Sequence, residues 1–416
     1  GAETHRACYQ GDVVIHVAKS IAYALAECVE WTNEADLSVA YAGGAKRYEH
    51  DDDFKKFVID INKKIYDKSD PMVNNSYQNG RTLSLNYFEK IYSKIGTAHG
   101  EDGRGFNYYF FESETGVFGK KVVEENVGTI FERSEGAVVY KGDETKGLHT
   151  RVFINKEGLP TYEAKELGLA KIKYDTFPYD ISIVVTGNEV NEYFRVLLAA
   201  MTEVFPELAQ KTEHVSHGML RLPAGKMSSR TGDVITAEAL LADVKDKVLE
   251  KIKESELSDE ERSDIAEKVA LGALKYSILR QASGKDIIFD FEQSLSFEGD
   301  SGPYLQYTYA RTHSLLEKAV GRIVDPFALK GGEVGLLHKY LLRFPEVVVR
   351  ASIERQPHYV ATYLIEVARE FNSFYGNTTI LDGAPDESYK LALVKATSQA
   401  IKTGLEILGI PTPEKM

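Results

Sequence analysis

The sequence predicts an α/β protein in which a doubly wound parallel sheet precedes an all-helical domain. The stretch "DISIVVTG", at 180–187, is a short apolar run ended by glycine, which is typical of a parallel strand buried on both faces. It leads directly into "EVNEYFRVLLAAMTEVF", at 189–205, whose apolar residues recur at helical spacing. After residue 236, amphipathic helical patterns follow one another with short connections and no convincing strand. The expected architecture is therefore a sheet layered with helices, followed by a helical bundle.

The earlier part of the chain supplies further elements in order. "DVVIHVAKSIAYALAECVEW", at 12–31, predicts a buried helix, and 36–95 is polar but helically periodic. "NYYFFES", "TIFERS" and "GAVVYKGD" are short extended pieces, "HTRVFIN" at 149–155 alternates like a strand, and a helix follows Pro160. "EHVSHGMLRL", at 213–222, predicts one more strand.

These patterns divide the chain into two domains, because 416 residues are too many for one core. We expect a Rossmann-like domain over 1–235, with an α+β insertion at about 36–148, and a helical domain over 236–416. In a doubly wound sheet, ligands gather at the carboxyl ends of the strands. Asn188 and the loop 225–233 follow two such ends.

Composition narrows the class of protein. Apolar residues make up 43% of the chain and charged residues 27%, as in ordinary globular proteins. Because no run of about 18 apolar residues occurs, we expect no membrane partner, and the N-terminus has no signal-peptide pattern. The net charge of −13 argues against a broad basic surface, so we expect no DNA partner. The two cysteines, Cys8 and Cys28, lack metal-ligand spacing and are expected to be small core residues of a cytoplasmic protein, with no metal site.

The loop "GKMSSRTGD", at 225–233, combines a lysine, an arginine, two serines and two glycines. The ammonium of Lys226 could neutralise charge on the leaving oxygens of a triphosphate, and the serine hydroxyls and Arg230 could add donors. The alternative is a solvated surface loop. The P-loop pattern GxxxxGK[ST] is absent, so this is a different kind of phosphate site.

The order of these letters resembles the KMSK loop of class I aminoacyl-tRNA synthetases, and "GKMSSRTG" is most similar to that of arginyl-tRNA synthetases. "FEGDSGPYLQYTYAR", at 297–311, resembles the start of that family's anticodon-binding helical domain. "YQGDVVIHVAK", "GRTLSLNYFEKIYSKIGT", "LPTYEAKELGLA" and "LGIPTPEKM" match the same family in the same order. The resemblance covers nearly the whole chain. It implies an arginine–tRNA ligase that uses ATP and Mg²⁺ and acts on arginine and tRNA(Arg), with the catalytic domain before the anticodon-binding domain.

The resemblance also implies site residues. The catalytic loop would comprise Lys226, Ser228, Ser229 and Arg230, and ATP would contact His217, Gly218, Met219, Lys226 and Met227. Ser229 stands where the general motif has lysine. Tyr162 and Glu166 match the tyrosine and the acidic residue of the arginine pocket, where aspartate is usual, and a carboxylate suits a guanidinium. Further arginine contacts would come from Asp12, Asn188, Glu189 and Glu192.

The helical domain would bind tRNA. Tyr304 and Tyr307 are three residues apart and share a helix face, so they could stack on anticodon bases. The alternative is a tyrosine stripe that packs against a neighbouring helix. Arg311, Tyr375 and Met416 are further candidates for the tRNA surface.

The family's HIGH motif does not occur in this sequence, and the first residues already match a later strand of the family's sheet. We therefore expect the chain to begin inside the catalytic domain, to bind tRNA, and not to make arginyl-tRNA by itself. Two alternatives are a non-catalytic tRNA-binding module and another class I synthetase, such as a cysteinyl or lysyl enzyme. The cysteinyl enzyme needs zinc-ligand clusters that two cysteines cannot provide.

Overall fold

The computed structural model describes residues 3–97, 103–221, 236–253, 257–327 and 335–416. Its described residues form two compact units, one ending at Val215 and the other running from Ser216 to the C-terminus. The first unit mixes strands and helices, and the second is mostly helical. The domain boundary at 235/236 and the limits of the insertion stay predictions.

The first unit begins with a strand, four helices and a second strand. These are β1 (Ala7–Gln10), α1 (Ile15–Ala26), α2 (Glu34–His50), α3 (Asp52–Asp67), α4 (Pro71–Lys94) and β2 (Tyr108–Phe111). Then follow α5 (Glu112–Glu125), β3 (Glu132–Ser134), β4 (Ala137–Tyr140), β5 (Arg151–Ile154) and α6 (Tyr162–Thr176). The last elements are β6 (Ser182–Gly187), α7 (Asn191–Val204), α8 (Pro206–Lys211) and β7 (Thr212–His217).

Strand pairing in this unit is split among small sheets. β1 and β2 are parallel, with Ala7 opposite Tyr108 and Gln10 opposite Phe111. β3, β4 and β5 form an antiparallel sheet, and β6 pairs with β7. Because β1 and β2 run in parallel and in register, the residues that follow them leave the pair at the same edge. This edge positions the candidate site.

Helices α5 and α6 cross at very short range because two glycines face the opposing backbones. A Cβ added at Gly119 would lie 1.8 Å from the carbonyl oxygen of Ala164, and one at Gly168 would lie 2.0 Å from that of Thr115. Any larger residue would push the helices apart. The crossing therefore sets the first turn of α6 against the start of α5, which immediately follows β2.

Three predictions about the first unit are wrong in detail. Strand β6 is not buried on both faces, since Ile183 and Val185 are 45% and 64% exposed. An apolar run alone could not show how many layers cover the strand. The predicted extended piece "NYYFFES" is a strand only to Phe111, and its last two residues, Glu112 and Ser113, begin α5. Cys28 is exposed, with a φ of 54°, and is not the core residue expected from its type.

The second unit is a helical bundle with one short pair of strands. Its elements are β8 (Leu220–Arg221), α9 (Ala237–Lys251), α10 (Asp259–Leu279), β9 (Ile287–Ile288), α11 (Phe291–Ser294), α12 (Gly302–Lys318), α13 (Leu336–Glu354), α14 (His358–Asn377) and α15 (Glu387–Ile407). β8 and β9 are parallel, so the expectation of no strand after residue 236 misses β9. The single strand predicted at 213–222 is divided between β7 and β8 at Gly218.

The bundle core consists of aliphatic and aromatic side chains of α10, α12, α14 and α15, including Leu305, Leu364, Phe371 and Ile401. Helix α12 starts at a clear signal, because Ser301 Oγ accepts a hydrogen bond from the backbone N of Tyr304 at 3.1 Å and Pro303 lies in the first turn. Across the described part of the chain, every helix is too short or too polar to span a bilayer.

Candidate functional site

Two acidic residues leave the parallel pair β1–β2 at the same edge. Asp12 lies two residues after β1, and Glu112 follows β2 directly. Since Gln10 and Phe111 are paired, the register brings both carboxylates to one end of the strands. We call the group formed by Asp12, Glu112, Tyr162, Lys165 and Glu166 the acidic pocket.

Asp12 is buried, and both of its carboxylate oxygens accept hydrogen bonds from other residues. Its Oδ1 accepts from the backbone N of Ser113 at 2.9 Å, and its Oδ2 accepts from the hydroxyls of Tyr77 and Ser113, each at 2.7 Å. Arg81 Nε lies 3.1 Å from the same Oδ2, and its guanidinium stacks over the ring of Phe111 at 3.8 Å. Asp12 therefore ties the two strand ends to α4, and its predicted contact with a ligand stays a prediction.

Glu112 and Lys165 form an ion pair that is almost wholly removed from water. Lys165 Nζ lies 2.6 Å from Glu112 Oε2, and the two side chains are 5% and 6% exposed respectively. The same Nζ donates to the carbonyl oxygen of Val13 at 3.0 Å, and the rings of Tyr66 and Tyr162 lie 5.8 and 5.4 Å from it. Burial raises the pKa of Glu112, and the charge of Lys165 opposes that rise.

Tyr162 and Glu166 lie four residues apart at the start of α6 and share its face toward the pocket. Tyr162 is 55% exposed, whereas Glu166 is half-buried. Within the described residues, Glu166 makes no hydrogen bond and no ion pair. Burial raises the pKa of Glu166 to about 7, with Lys173 opposing the rise and Glu112 adding to it. A carboxylate in this state gains from the arrival of a cation.

Two tyrosines that sequence reasoning missed belong to the same site. Tyr9, on β1, bonds to Thr115 through its hydroxyl at 2.8 Å. Burial raises the pKa of Tyr9 and of Tyr193, and the negative charges of Glu166 and Glu112 contribute in both cases. Their phenols are therefore neutral donors beside the carboxylates. Tyr9 precedes Asp12 by three residues, and Tyr193 follows Glu192, so nearness to those residues was the available signal.

The three residues predicted to contact arginine after β6 lie in the turn that follows this strand and in the first turn of α7. Glu192 is exposed and pairs with Arg195 at 3.3 Å. The exposed Glu189 folds back on its own turn, where its carboxylate would lie 2.3 Å from a Cβ added at Gly187. Asn188 is half-buried at the same turn. Their contacts with arginine stay predictions. In α7, it is Tyr193 whose pKa is raised by burial and by the charges of the pocket carboxylates.

The proposed ATP loop lies outside the described residues, and this includes Lys226, Met227, Ser228, Ser229 and Arg230. The strip before it is described. His217 is exposed, with its Nδ1 2.9 Å from the carbonyl oxygen of Gly218.

Gly218 is buried where backbones meet, because an added Cβ would lie 1.9 Å from the carbonyl oxygen of Lys285. The backbone N of Met219 donates to Asp286 Oδ1 at 3.0 Å. The strip therefore requires glycine at 218 in order to dock on the segment before β9, and its contact with adenine stays a prediction.

In the helical unit, four of the five predicted tRNA residues come together around one guanidinium. Arg311 lies between the rings of Tyr307 and Tyr375, at 4.7 and 4.8 Å from their centroids, and its Nη2 donates to Tyr307 Oη at 3.1 Å. Its Nη1 donates to Asn372 Oδ1, and Asn372 Nδ2 donates to Tyr304 Oη at 3.0 Å. We call these five residues the tyrosine–arginine cluster.

The two tyrosines of α12 differ in their surroundings. Tyr304 packs against the bundle core, Tyr307 is likewise half-buried, and Tyr375 is 39% exposed. Met416 packs against a different apolar group that includes Leu240 and Val248 of α9. The contact of Met416 with tRNA stays a prediction.

Two family models match this chain, one after the other. The family model "tRNA synthetases class I (R), catalytic domain" matches residues 10–291, and "DALR anticodon binding domain" matches residues 305–416. A class I catalytic domain followed by a helical anticodon-binding domain defines a class I aminoacyl-tRNA synthetase. The predicted fold class is confirmed.

Curated relatives show which family of class I synthetases the chain belongs to. Arginine–tRNA ligase of Bacteroides fragilis is 32% identical over 366 residues, which cover 84% of this chain and 60% of the relative. That of Parabacteroides distasonis is 34% identical over 340 residues, covering 78% and 57%. The chain belongs to the arginyl-tRNA synthetase family. It spans about 60% of the length of these curated relatives.

The fold matches solved structures of the same family. Thermus thermophilus arginyl-tRNA synthetase has a TM-score of 0.73 and 22% identity, with 99% of this chain and 75% of that chain covered. The Plasmodium falciparum enzyme has a TM-score of 0.74 and 18% identity, with 100% and 70% covered. At these identities the likeness concerns the fold.

Proposed function

We propose that this chain binds arginine in the acidic pocket and serves the ATP-dependent attachment of arginine to tRNA(Arg). The observation that carries the proposal is Glu166, a half-buried carboxylate for which the described residues supply no hydrogen bond and no ion pair. A carboxylate held in this way is stabilised by a permanently charged cation that can also donate hydrogen bonds. A guanidinium meets both needs, because it stays protonated and presents several N–H groups in one plane.

The neighbours of Glu166 fit the rest of an arginine side chain. Glu112 Oε1 makes no hydrogen bond with described residues, because the ion pair with Lys165 uses Oε2. The exposed ring of Tyr162 stands at the same helix start and can cover the face of a guanidinium. We assign Glu166 and Glu112 as the carboxylates that accept hydrogen bonds from the guanidinium. We assign the ring of Tyr162 as the group that packs against the guanidinium plane.

The proposed reaction has two steps. A carboxylate oxygen of arginine attacks the α-phosphorus of ATP, and the bond to pyrophosphate breaks. A hydroxyl of the 3′-terminal ribose of tRNA then attacks the arginyl carbonyl, and AMP leaves. Lys226 would neutralise the pyrophosphate as charge develops, while positioning supplies much of the remaining rate. Mg²⁺ would arrive on the ATP phosphates, which are its usual ligands, and we assign no side chain to it.

The tyrosine–arginine cluster is proposed to contact the anticodon. The exposed ring of Tyr375 and the half-buried Arg311 and Tyr307 beside it are flat groups, and splayed bases stack on such groups. The same proposal places the protein in the cytoplasm, where tRNA is charged for protein synthesis. A second candidate function, a tRNA-binding module without catalysis, is supported by this cluster alone.

Arginine-dependent ATP–pyrophosphate exchange, measured with and without tRNA, separates the two functions. A ligase exchanges with arginine and not with lysine or citrulline, and Lys226→Ala measures the background from the host enzyme. Equilibrium binding of radiolabelled arginine and of tRNA completes the test. Binding of tRNA with neither exchange nor arginine binding would leave only the tRNA-binding module.

A further inference from the structure

Lys165 is a buried cation inside the pocket proposed for a cationic substrate. Because like charges repel, its presence there requires an explanation. Its ammonium is 2.6 Å from Glu112 Oε2 and 3.0 Å from the carbonyl oxygen of Val13, and both charged side chains are nearly fully buried. Placing a charge in such surroundings is costly unless a partner compensates it. The partner here is a carboxylate that has a second oxygen free.

The difficulty that Lys165 resolves concerns the two neighbouring carboxylates. The negative charge of Glu112 raises the free energy of the ionised form of Glu166, since Glu112 contributes to the raised pKa of Glu166. Two close carboxylates without compensation hold one shared proton, and a protonated acid cannot accept a guanidinium fully. Glu112 also has Asp12 as a negative neighbour. Lys165 is the cation in direct contact with Glu112.

We propose that Lys165 is a positioning residue that keeps Glu112 ionised and fixed, so that Glu112 and Glu166 can receive one guanidinium together. This inference rests on the proposed function, since it concerns how the same pocket binds arginine. In the wild type, Glu166 alone must lose a proton when arginine binds near neutral pH. Without Lys165, Glu112 must lose one as well.

The charged and titratable groups around the two carboxylates are the following. On α6 they are Tyr162, Glu163, Lys165 and Lys173. From β1 and its continuation they are Tyr9 and Asp12, from α3 Tyr66, and from α7 Tyr193. The phenols stay neutral, because burial raises the pKa of all four tyrosines. Asp12 is held by Arg81 and by hydrogen bonds. The proton that changes with Lys165 is therefore assigned to Glu112.

The test is the pH dependence of arginine affinity, measured by titration calorimetry of the full chain between pH 6 and 9. Lys165→Met should weaken arginine binding about tenfold or more at pH 7, and the loss should shrink toward pH 9, where Glu112 can again ionise. Calorimetry in buffers of different ionisation enthalpy should show about one additional proton released. Lys165→Arg keeps the charge and should restore the wild-type profile.

Two controls separate this role from a structural one. Lys171→Met removes an exposed lysine of the same helix, paired with Asp175, and should change nothing. In a Glu112→Gln background, adding Lys165→Met should not steepen the pH profile and should change affinity by less than about threefold, because no carboxylate is left for Lys165 to hold. The double variant leaves neither an unpaired carboxylate at 112 nor an unpaired ammonium at 165, so it tests the role of Lys165 even when Lys165→Met alone does not fold.

The outcomes separate this inference from the function on which it rests. A wild-type chain that does not bind arginine overturns the proposed function and this inference with it. A wild-type chain that binds, together with a Lys165→Met loss of equal size at every pH, or a further steepening in the Glu112→Gln background, overturns the role of Lys165 alone.

Discussion

The acidic pocket of the first unit and the tyrosine–arginine cluster of the second both hold a cation against polar and aromatic groups, yet they treat it differently. In the pocket, Lys165 is sealed from water and bonded to Glu112. In the cluster, Arg311 is only half-buried, lies between two tyrosine rings and donates to a neutral amide and a phenol. The first arrangement compensates charge with charge, and the second uses aromatic faces.

This difference indicates what each region is built to bind. Partial burial strengthens electrostatic interactions, so the half-buried and unpaired carboxylate of Glu166 suits the small cation that we propose for this pocket. Near water, charge interactions are screened, and flat surfaces contribute more through stacking and cation–π contact. Such a surface suits nucleic-acid bases. The predictions below test this contrast, beginning with the largest expected effect.

Replacing Glu166 with Gln should weaken arginine binding by about 1.5–3 kcal/mol, or roughly 10- to 150-fold, because a hydrogen bond to an ionised acceptor is lost. In the wild type, arginine affinity should also fall as the pH drops below about 7, since the pKa of Glu166 is raised to about 7 and the protonated form cannot pair with a cation. Calorimetric titration with arginine from pH 5.5 to 8.5 measures both effects.

The matched control is Asp175→Asn, which removes an exposed carboxylate of the same helix that pairs with Lys171. Its arginine affinity and pH profile should equal those of the wild type. A Glu166→Gln variant that keeps full affinity would show that the unpaired carboxylate is not the substrate acceptor.

Replacing Tyr307 with Ala should weaken tRNA binding by about 1–3 kcal/mol, because one stacking face is removed. Arginine affinity should not change if the contrast between the two regions is correct. Tyr359→Ala is the matched control, since Tyr359 also lies under an arginine, Arg350, at 4.3 Å, but in another part of the bundle. Filter binding at fixed salt measures the effect, and equal losses in the two variants would contradict a specific role.

Asp12, Tyr162 and Glu166 of the acidic pocket are predicted from the sequence because their signals are local motifs, and their contact with arginine stays a prediction. Tyr162 and Glu166 lie within one helical turn, and family motifs identify them without any knowledge of the fold. The ion pair of Glu112 and Lys165 was missed because its members are 53 residues apart, and only the β1–β2 register and the close crossing of α5 and α6 bring them together. Neither residue carries a motif that reveals its partner.

Burial was harder to predict than secondary structure. The run at β6 predicts a strand correctly, but exposure of Val185 depends on what packs over the sheet, which an apolar run does not contain. Tyr304 and Tyr307 share a helix face as their spacing predicts, yet Tyr304 packs on the bundle core while Tyr307 contacts Arg311. Spacing fixes the face, and the neighbouring helix decides which residue on it is covered.

Glu166→Gln should also stabilise the first unit at alkaline pH. The ionised carboxylate that favours arginine binding would therefore lower the free energy of unfolding. A carboxyl group whose folded-state pKa is raised contributes stability below its unfolded pKa and loses it as the pH rises through about 7. Glutamine does not titrate, so the variant should gain about 1–2 kcal/mol relative to wild type between pH 5 and pH 8. Urea unfolding at the two pH values measures the change, and a pH-independent difference would contradict the raised pKa.

Replacing Tyr304 with Phe has the smallest expected effect and tests how the tyrosine–arginine cluster is held. The hydroxyl of Tyr304 accepts from Asn372 Nδ2 at 3.0 Å, and Asn372 in turn accepts from Arg311. Loss of this hydrogen bond should lower the free energy of unfolding by about 0.5–1.5 kcal/mol, while the ring keeps its place on the core. Tyr340→Phe is the control, because the Tyr340 hydroxyl makes no hydrogen bond with the described residues although the ring packs on the same core. If Asn372 only orients Arg311, tRNA affinity should fall less than in Tyr307→Ala, since both stacking faces remain. A loss of tRNA binding as large as that of Tyr307→Ala, with unchanged stability, would show instead that the Tyr304 hydroxyl contacts the tRNA directly.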